Sequence, residues 1–152
     1  RELGVELVHV PYRGGGPAMQ AAAAGELAAA LATETSARPL QQAGKLRVLA
    51  TSWAERSPFL PAVPTFREQG LAALTQREWF GVLAPARTPA AAIDALAEAL
   101  RQLAQDPDVR QTWDRAALAP EVGSPAQLAA AMRQEHAFWG GLVKATGFTP
   151  EA

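Results

Sequence analysis

Apolar and polar residues alternate through residues 5–10 (VELVHV), the two-residue period of a strand. Three glycines follow, and Pro17 then stands where a helix would start, so residues 17–24 form a short helix candidate stopped by Gly25. Residues 27–33 (LAAALAT) read as a strand with small side chains. Residues 36–43 read as a second short helix ended by Gly44, and residues 46–51 (LRVLAT) as a third strand. Strand, loop, helix, strand, helix, strand is the order of a parallel sheet with helices on its faces.

The pattern then changes. Pro58, Pro61 and Pro64 make residues 57–64 a loop, followed by a helical turn at 65–69 that stops at Gly70. Residues 79–84 (WFGVLA) read as an apolar strand. Thr88-Pro89 opens the clearest helix, with Ile93, Leu96, Leu100 and Leu103 on one face. Asp106-Pro107 starts another helix, holding Val109 and Trp113, and residues 118–122 read as a short strand. Ser124 and Gln127 form a capping-box pattern. The helix after it is expected to reach Thr146, with Leu128, Met132, Glu135, Trp139, Leu142 and Val143 along one stripe and Gly140-Gly141 weakening its middle. A change of lobe is expected near residues 79–85, where short β/α pieces give way to longer helices.

Composition narrows the function classes. The chain has 152 residues, 49% of them apolar, enough to build a core. A formal net charge of -1 offers no electrostatic footprint for nucleic acid or an anionic membrane. The absence of cysteine removes disulfides, thiol catalysis and thiolate metal sites. No apolar run reaches the ~18 residues of a membrane span. The chain opens at Arg1, already beside a strand, which leads to the expectation of a fragment or a processed product.

The strongest local signal is Gly14-Gly15-Gly16 between a strand and a helix start. Backbone N–H groups at such a junction, reinforced by the helix dipole, suit an anion. No Lys-Ser/Thr pair follows, so it is not a phosphate loop of the Walker type. The spacing also departs from GxGxxG. A carboxylate fits a small neutral cradle better than a pyrophosphate, with Tyr12 offering a hydroxyl and Arg13 a more distant positive charge. The same glycines equally suit a tight turn with no ligand.

His9 and His136 are the only histidines and lack partners at metal-ligand or catalytic spacing, so both read as structural or surface residues. Glu34, with Thr33, Thr35 and Ser36, either lines a cleft or caps a helix, with Ser36 the favoured cap. Trp79, Phe80, Trp113 and Trp139 read first as core. Trp53 lies just past a strand end and reads either way, and Gly81 is a place where a lobe crossing has room to bend. No nucleophile–base pair, metal cluster or cofactor motif is present in the pattern. A small α/β enzyme using the glycines as an oxyanion or phosphate site therefore stands as the alternative to a binding protein, and a non-binding assembly module as a third reading.

Several blocks in order carry a resemblance: HVPYRGGGPAM, AGKLRVLATSWAERSPFLPAVPTFREQG, WFGVLAPARTP and the course from residue 95 to 147. Together they resemble the tripartite tricarboxylate transporter receptors, also called Bug solute-binding proteins, and the resemblance covers almost the whole chain. It implies periplasmic receptors about twice this length, whose two α/β lobes close on a small carboxylate. It also implies that this chain matches the C-terminal half. Residues 1–77 would be part of the second lobe, a parallel-type sheet with flanking helices. Residues 78–152 would be a crossover strand and C-terminal helices completing the first lobe. The loop Tyr12, Arg13, Gly14, Gly15, Gly16, Pro17 and Ala18 would hold one carboxylate, and Thr33 would stand near it. Where the family often carries an Asp and a small polar residue, this chain has Ala32 and Thr33, which points to a different or less polar solute. The implied partners are the solute and membrane permease subunits, with no cofactor, metal or catalysis. A half receptor is further expected to self-associate.

Overall fold

The computed structural model describes residues 4–149. The chain divides into two compact units, one made of Arg1–Glu78 with Ala116–Leu118, the other of Trp79–Arg115 with Ala119–Ala152.

The first unit holds α1 (Gly15–Ala23) and α2 (Glu34–Gln42), which lie against each other. Alanine dominates α1, and little side-chain entropy opposes its coiling. Met19 and Ala21 are its buried positions. Helix α2 contains Pro39, whose missing N–H removes one rung of the helix ladder. It ends where Gly44 takes φ +69° and Lys45 N–H donates to the Leu40 carbonyl at 2.9 Å, a left-handed exit that glycine makes without steric cost. After α2 the chain returns through a loop built on Thr51 and Thr65, which form an isolated parallel bridge. Thr51 N–H donates to the Pro64 carbonyl at 3.1 Å, and Phe66 N–H to the Thr51 carbonyl at 2.9 Å.

Side chains staple this loop. Arg56 Nε donates to both Glu68 oxygens at 3.0 Å, and Arg56 Nη1 to the Pro61 carbonyl at 3.1 Å. Thr65 N–H donates to Glu68 Oε2 at 2.8 Å, and Glu68 N–H to Thr65 Oγ1 at 3.1 Å, a reciprocal pair of the capping-box kind. Leu60 and Val63 are buried, and Thr65 has no exposed surface at all.

The second unit holds α3 (Ala90–Leu103), α4 (Pro107–Arg115) and α5 (Pro125–Thr146). Local signals start two of them. Asp106 Oδ1 accepts from Asp108 N–H at 2.8 Å and Val109 N–H at 3.2 Å at the head of α4. Ser124 and Gln127 complete the capping box of α5, with Ser124 N–H donating to Gln127 Oε1 at 2.7 Å and Gln127 N–H to Ser124 Oγ at 3.2 Å. Ala104 is the one buried residue of this unit among the described residues.

The strand expectations meet a different outcome. Among the described residues, segments 5–10, 27–33, 46–51, 79–84 and 118–122 form no sheet ladder, and the single Thr51–Thr65 bridge is the only β pairing. Alternation prepares a face for burial, but a ladder also needs a neighbour that supplies N–H and C=O partners. Without one, Leu7 and Val8 stay 85% and 87% exposed, on opposite faces of the same segment. Trp139, expected in a core, is likewise exposed.

Candidate functional site

The three glycines at the head of α1 do three different things. Gly14 stands at φ +99°, ψ 172°, a backbone region essentially closed to residues with a Cβ. Its N–H donates to the Tyr12 carbonyl at 2.8 Å, closing a tight turn, so this amide offers no donor to a guest. Gly15 is demanded by packing. A Cβ there would lie 2.8 Å from Ser36 Oγ, 3.3 Å from Ser36 Cβ and 3.4 Å from Ala32 Cβ. Gly16 has neither a left-handed backbone nor a neighbour, since a Cβ there would meet nothing within 4 Å.

As the first two residues of α1, Gly15 and Gly16 have N–H groups with no partner inside the helix. Pro17 follows with no N–H to satisfy. The head of α1 therefore carries two adjacent amides, open space over the second, and the positive end of the helix dipole. Tyr12 and Arg13 are exposed on the approach, and Ala18 is half-buried behind.

The close contact at Gly15 brings the head of α2 alongside. Thr33 is the residue preceding α2, with φ -67° and ψ 153° and no side-chain cap bond. Its carbonyl accepts from Ser36 N–H at 3.0 Å and Ala37 N–H at 3.1 Å, and the hydroxyls of Thr33 and Ser36 share a hydrogen bond of 3.2 Å. Helix α2 thus begins two residues earlier than expected, and Ser36 sits inside its first turn instead of capping it. Glu34 is in that first turn, and its Oε2 accepts from Ser57 Oγ at 2.6 Å. Ser57 Oγ in turn accepts from Phe59 N–H at 3.1 Å, and the Arg38 guanidinium lies 5.5 Å from the Phe59 ring centre. Thr35 Oγ1 donates to the Ala116 carbonyl at 2.7 Å. The Glu34 carboxylate partly offsets the dipole of α2 at its own N-terminus, which leaves α1 as the better seat for an anion.

The structure thus brings residues 12–18 and Thr33 into one neighbourhood through the contact of Gly15 with Ala32 and Ser36. Ser57, which reaches Glu34, is the member that sequence reasoning missed. Its place in the proline loop 57–64 gave no local sign that it returns to α2. His9 and His136 are both exposed, and no group of three or more metal-ligating side chains occurs among the described residues. No helix among them is long and apolar enough to cross a membrane.

Residues 1–148 match the family described as tripartite tricarboxylate transporter family receptor. BugT of Bordetella pertussis is 30% identical over 144 residues, which are 95% of this chain and 44% of BugT. A solved structure described as a periplasmic transporter superposes with a TM-score of 0.86 at 34% identity, over 94% of this chain and 48% of its own length. MatC from Rhodopseudomonas palustris, solved with bound malate, superposes with a TM-score of 0.80 at 32% identity, over 93% of this chain and 49% of MatC. The chain thus spans about half the length of these three proteins, and its fold is like that of the periplasmic binding protein BugD, which superposes with a TM-score of 0.81 at 28% identity over 96% of this chain and 50% of BugD.

Proposed function

The chain belongs to the tripartite tricarboxylate transporter receptor family, and from that premise we propose that it supplies one jaw of an extracytoplasmic receptor that grips a small carboxylate and releases it unchanged. The observation that carries this reading is the head of α1. Gly14 is accounted for by its backbone and Gly15 by Ser36, but Gly16 is accounted for by nothing among the described residues. A glycine with open space above a free helix-start amide is what close approach of a carboxylate requires. In this reading the N–H groups of Gly15 and Gly16 donate to one carboxylate of the solute. Gly14 and Pro17 shape the turn, Tyr12 and Arg13 stand at its rim, and Ala18 and Thr33 form its wall.

In the assembled receptor, segments 5–10, 27–33 and 46–51 pair into a parallel-type sheet. Residues 1–77 then belong to the second lobe and residues 78–152 to the first. The solute is held when the lobes close on it in the periplasm, and it passes to the permease subunits of the transporter. Malate bound to MatC supports carboxylates as the solute class. One jaw alone leaves the far end of the solute in water, so affinity of this chain by itself is weak.

Calorimetric titration with mono-, di- and tricarboxylates tests the reading. Heat of binding is expected for at least one dicarboxylate and is lost in Gly16→Val, with helix content by circular dichroism unchanged. Binding that survives Gly16→Val would overturn the assignment, and so would conversion of any of these compounds to a product.

A further inference from the structure

The hydroxyls of Thr33 and Ser36 share a bond of 3.2 Å, and both residues are half-buried. Two hydroxyls bring two protons, and one bond between them uses one. Whichever oxygen donates, one O–H is left over, and neither hydroxyl has another hydrogen bond among the described residues. Thr33 is of a type that caps helices and stands at the capping position of α2, yet its side chain makes no cap bond. Its carbonyl takes the Ser36 and Ala37 N–H groups instead, which leaves the hydroxyl for Ser36.

The spare proton lies beside the head of α1. A Cβ on Gly15 would be 2.8 Å from Ser36 Oγ and 3.3 Å from Ser36 Cβ, so the hydroxyl is the atom for which that glycine makes most room. A Cβ is about 2.5 Å from its own backbone nitrogen, which puts Ser36 Oγ within about 5.3 Å of the Gly15 nitrogen. One oxygen about 2.9 Å from the amide nitrogen and about 2.7 Å from the hydroxyl bridges a gap of that size. The surroundings favour an anion. Ala32 adds only a methyl group, 3.4 Å from the same Cβ position. Glu34 lies about 200° round α2 from Ser36, and its Oε2 is engaged by Ser57 Oγ at 2.6 Å.

Packing alone does not call for a serine, because the Cβ of an alanine at 36 would fill the same place. A half-buried hydroxyl with a proton to spare needs an acceptor. We infer that Ser36 is the third donor of the carboxylate seat. Thr33 O–H donates to Ser36 Oγ, and Ser36 O–H donates to the carboxylate held by the Gly15 and Gly16 N–H groups. This deepens the proposed function and rests on it. Three donors and no acceptor at one end of the solute select an ionised carboxylate over a carboxamide, whose NH2 would turn donor against donor.

Titration with succinate, followed through the Gly15 amide shift, is the test. Ser36→Ala and Thr33→Val delete the same hydroxyl–hydroxyl bond, so a purely structural role weakens binding alike in both. The two are expected to part, with affinity about tenfold lower in Ser36→Ala and less than about threefold lower in Thr33→Val, where Ser36 keeps its proton. Succinamide gives a readout that needs no variant, and it is expected to bind the natural chain at least about tenfold more weakly than succinate. Equal losses in the two variants, full affinity in Ser36→Ala, or equal affinity for succinate and succinamide would each overturn the role of Ser36. If Gly16→Val still abolishes succinate binding in that case, the seat itself stands. A natural chain that binds no succinate, or a Gly16→Val chain that binds it as well, overturns the seat and the role of Ser36 together.

Discussion

The stretch up to Glu78 buries Met19, Ala21, Thr51, Leu60, Val63 and Thr65, whereas α3, α4 and α5 bury no residue and Ala104, just past the end of α3, is the one buried position of their unit among the described residues. The two units are of similar length, and the second has the longest helices. What differs is closure. In the first unit α1 and α2 meet at Gly15, and the Thr51–Thr65 loop is bonded back on itself by Arg56 and Glu68. In the second unit α4 and α5 are started by their own capping bonds and α3 is not, and none of the three buries a residue. Helix start signals and helix stripes are local properties. A core is not, and only the first unit has the elements to make one from its own residues.

Core truncation breaks this contrast most directly. Leu60→Ala is expected to cost about 2–4 kcal/mol in urea unfolding, while Leu103→Ala, at a position already 47% exposed, costs under about 1 kcal/mol. Equal losses would mean that the second unit has a core after all.

The glycine triplet sharpens the picture within the first unit. Gly14→Ala forces a Cβ into a backbone region reserved for glycine and is expected to cost about 1–3 kcal/mol. Gly16→Ala meets open space in a helix and is expected to be neutral or to stabilise by up to about 1 kcal/mol. Thermal melts of the two variants check the order.

Thr51 supplies a smaller effect. Its hydroxyl is buried without a hydrogen-bond partner, so Thr51→Val is expected to stabilise the first unit by about 1 kcal/mol in urea unfolding. A loss of stability would show that the hydroxyl is used.

The smallest expected effect is on pH dependence. The Thr65 N–H, and after it the Arg56 guanidinium, hold the Glu68 carboxyl below its ordinary value of 4.5. A carboxyl whose value is lowered by folding contributes stability above its unfolded value and loses it as pH falls through the lower, folded one. Melting temperatures followed from pH 6 to pH 3 are therefore expected to fall more in the natural chain than in Glu68→Gln. Parallel curves would mean that the loop staple carries no linkage.

Much of the helical course was legible because its signals are local. The Ser124–Gln127 box and the turn at Asp106-Pro107 each state their own helix within four residues, and α5 ends at Thr146 as its pattern requires. The strands were not legible in the same way. Residues 5–10 read as a strand and still make no ladder here, since pairing depends on what lies alongside and not on the segment itself. The head of α2 was misplaced by two residues because Thr33 and Ser36 are equally good caps on paper, and only the backbone shows which one precedes the helix. The glycine triplet was visible as a signal, but its division into a turn, a packing contact and an opening needed coordinates.

Amide shifts of the isotope-labelled chain during titration with succinate test the central claim most directly, because they register even weak binding residue by residue. The Gly15 and Gly16 signals are expected to move together and saturably, with Gly14, held by the Tyr12 carbonyl, moving less, and Gly16→Val abolishing the response. Saturable shifts confined to residues away from the head of α1, or no shift at all, would contradict a carboxylate seat there.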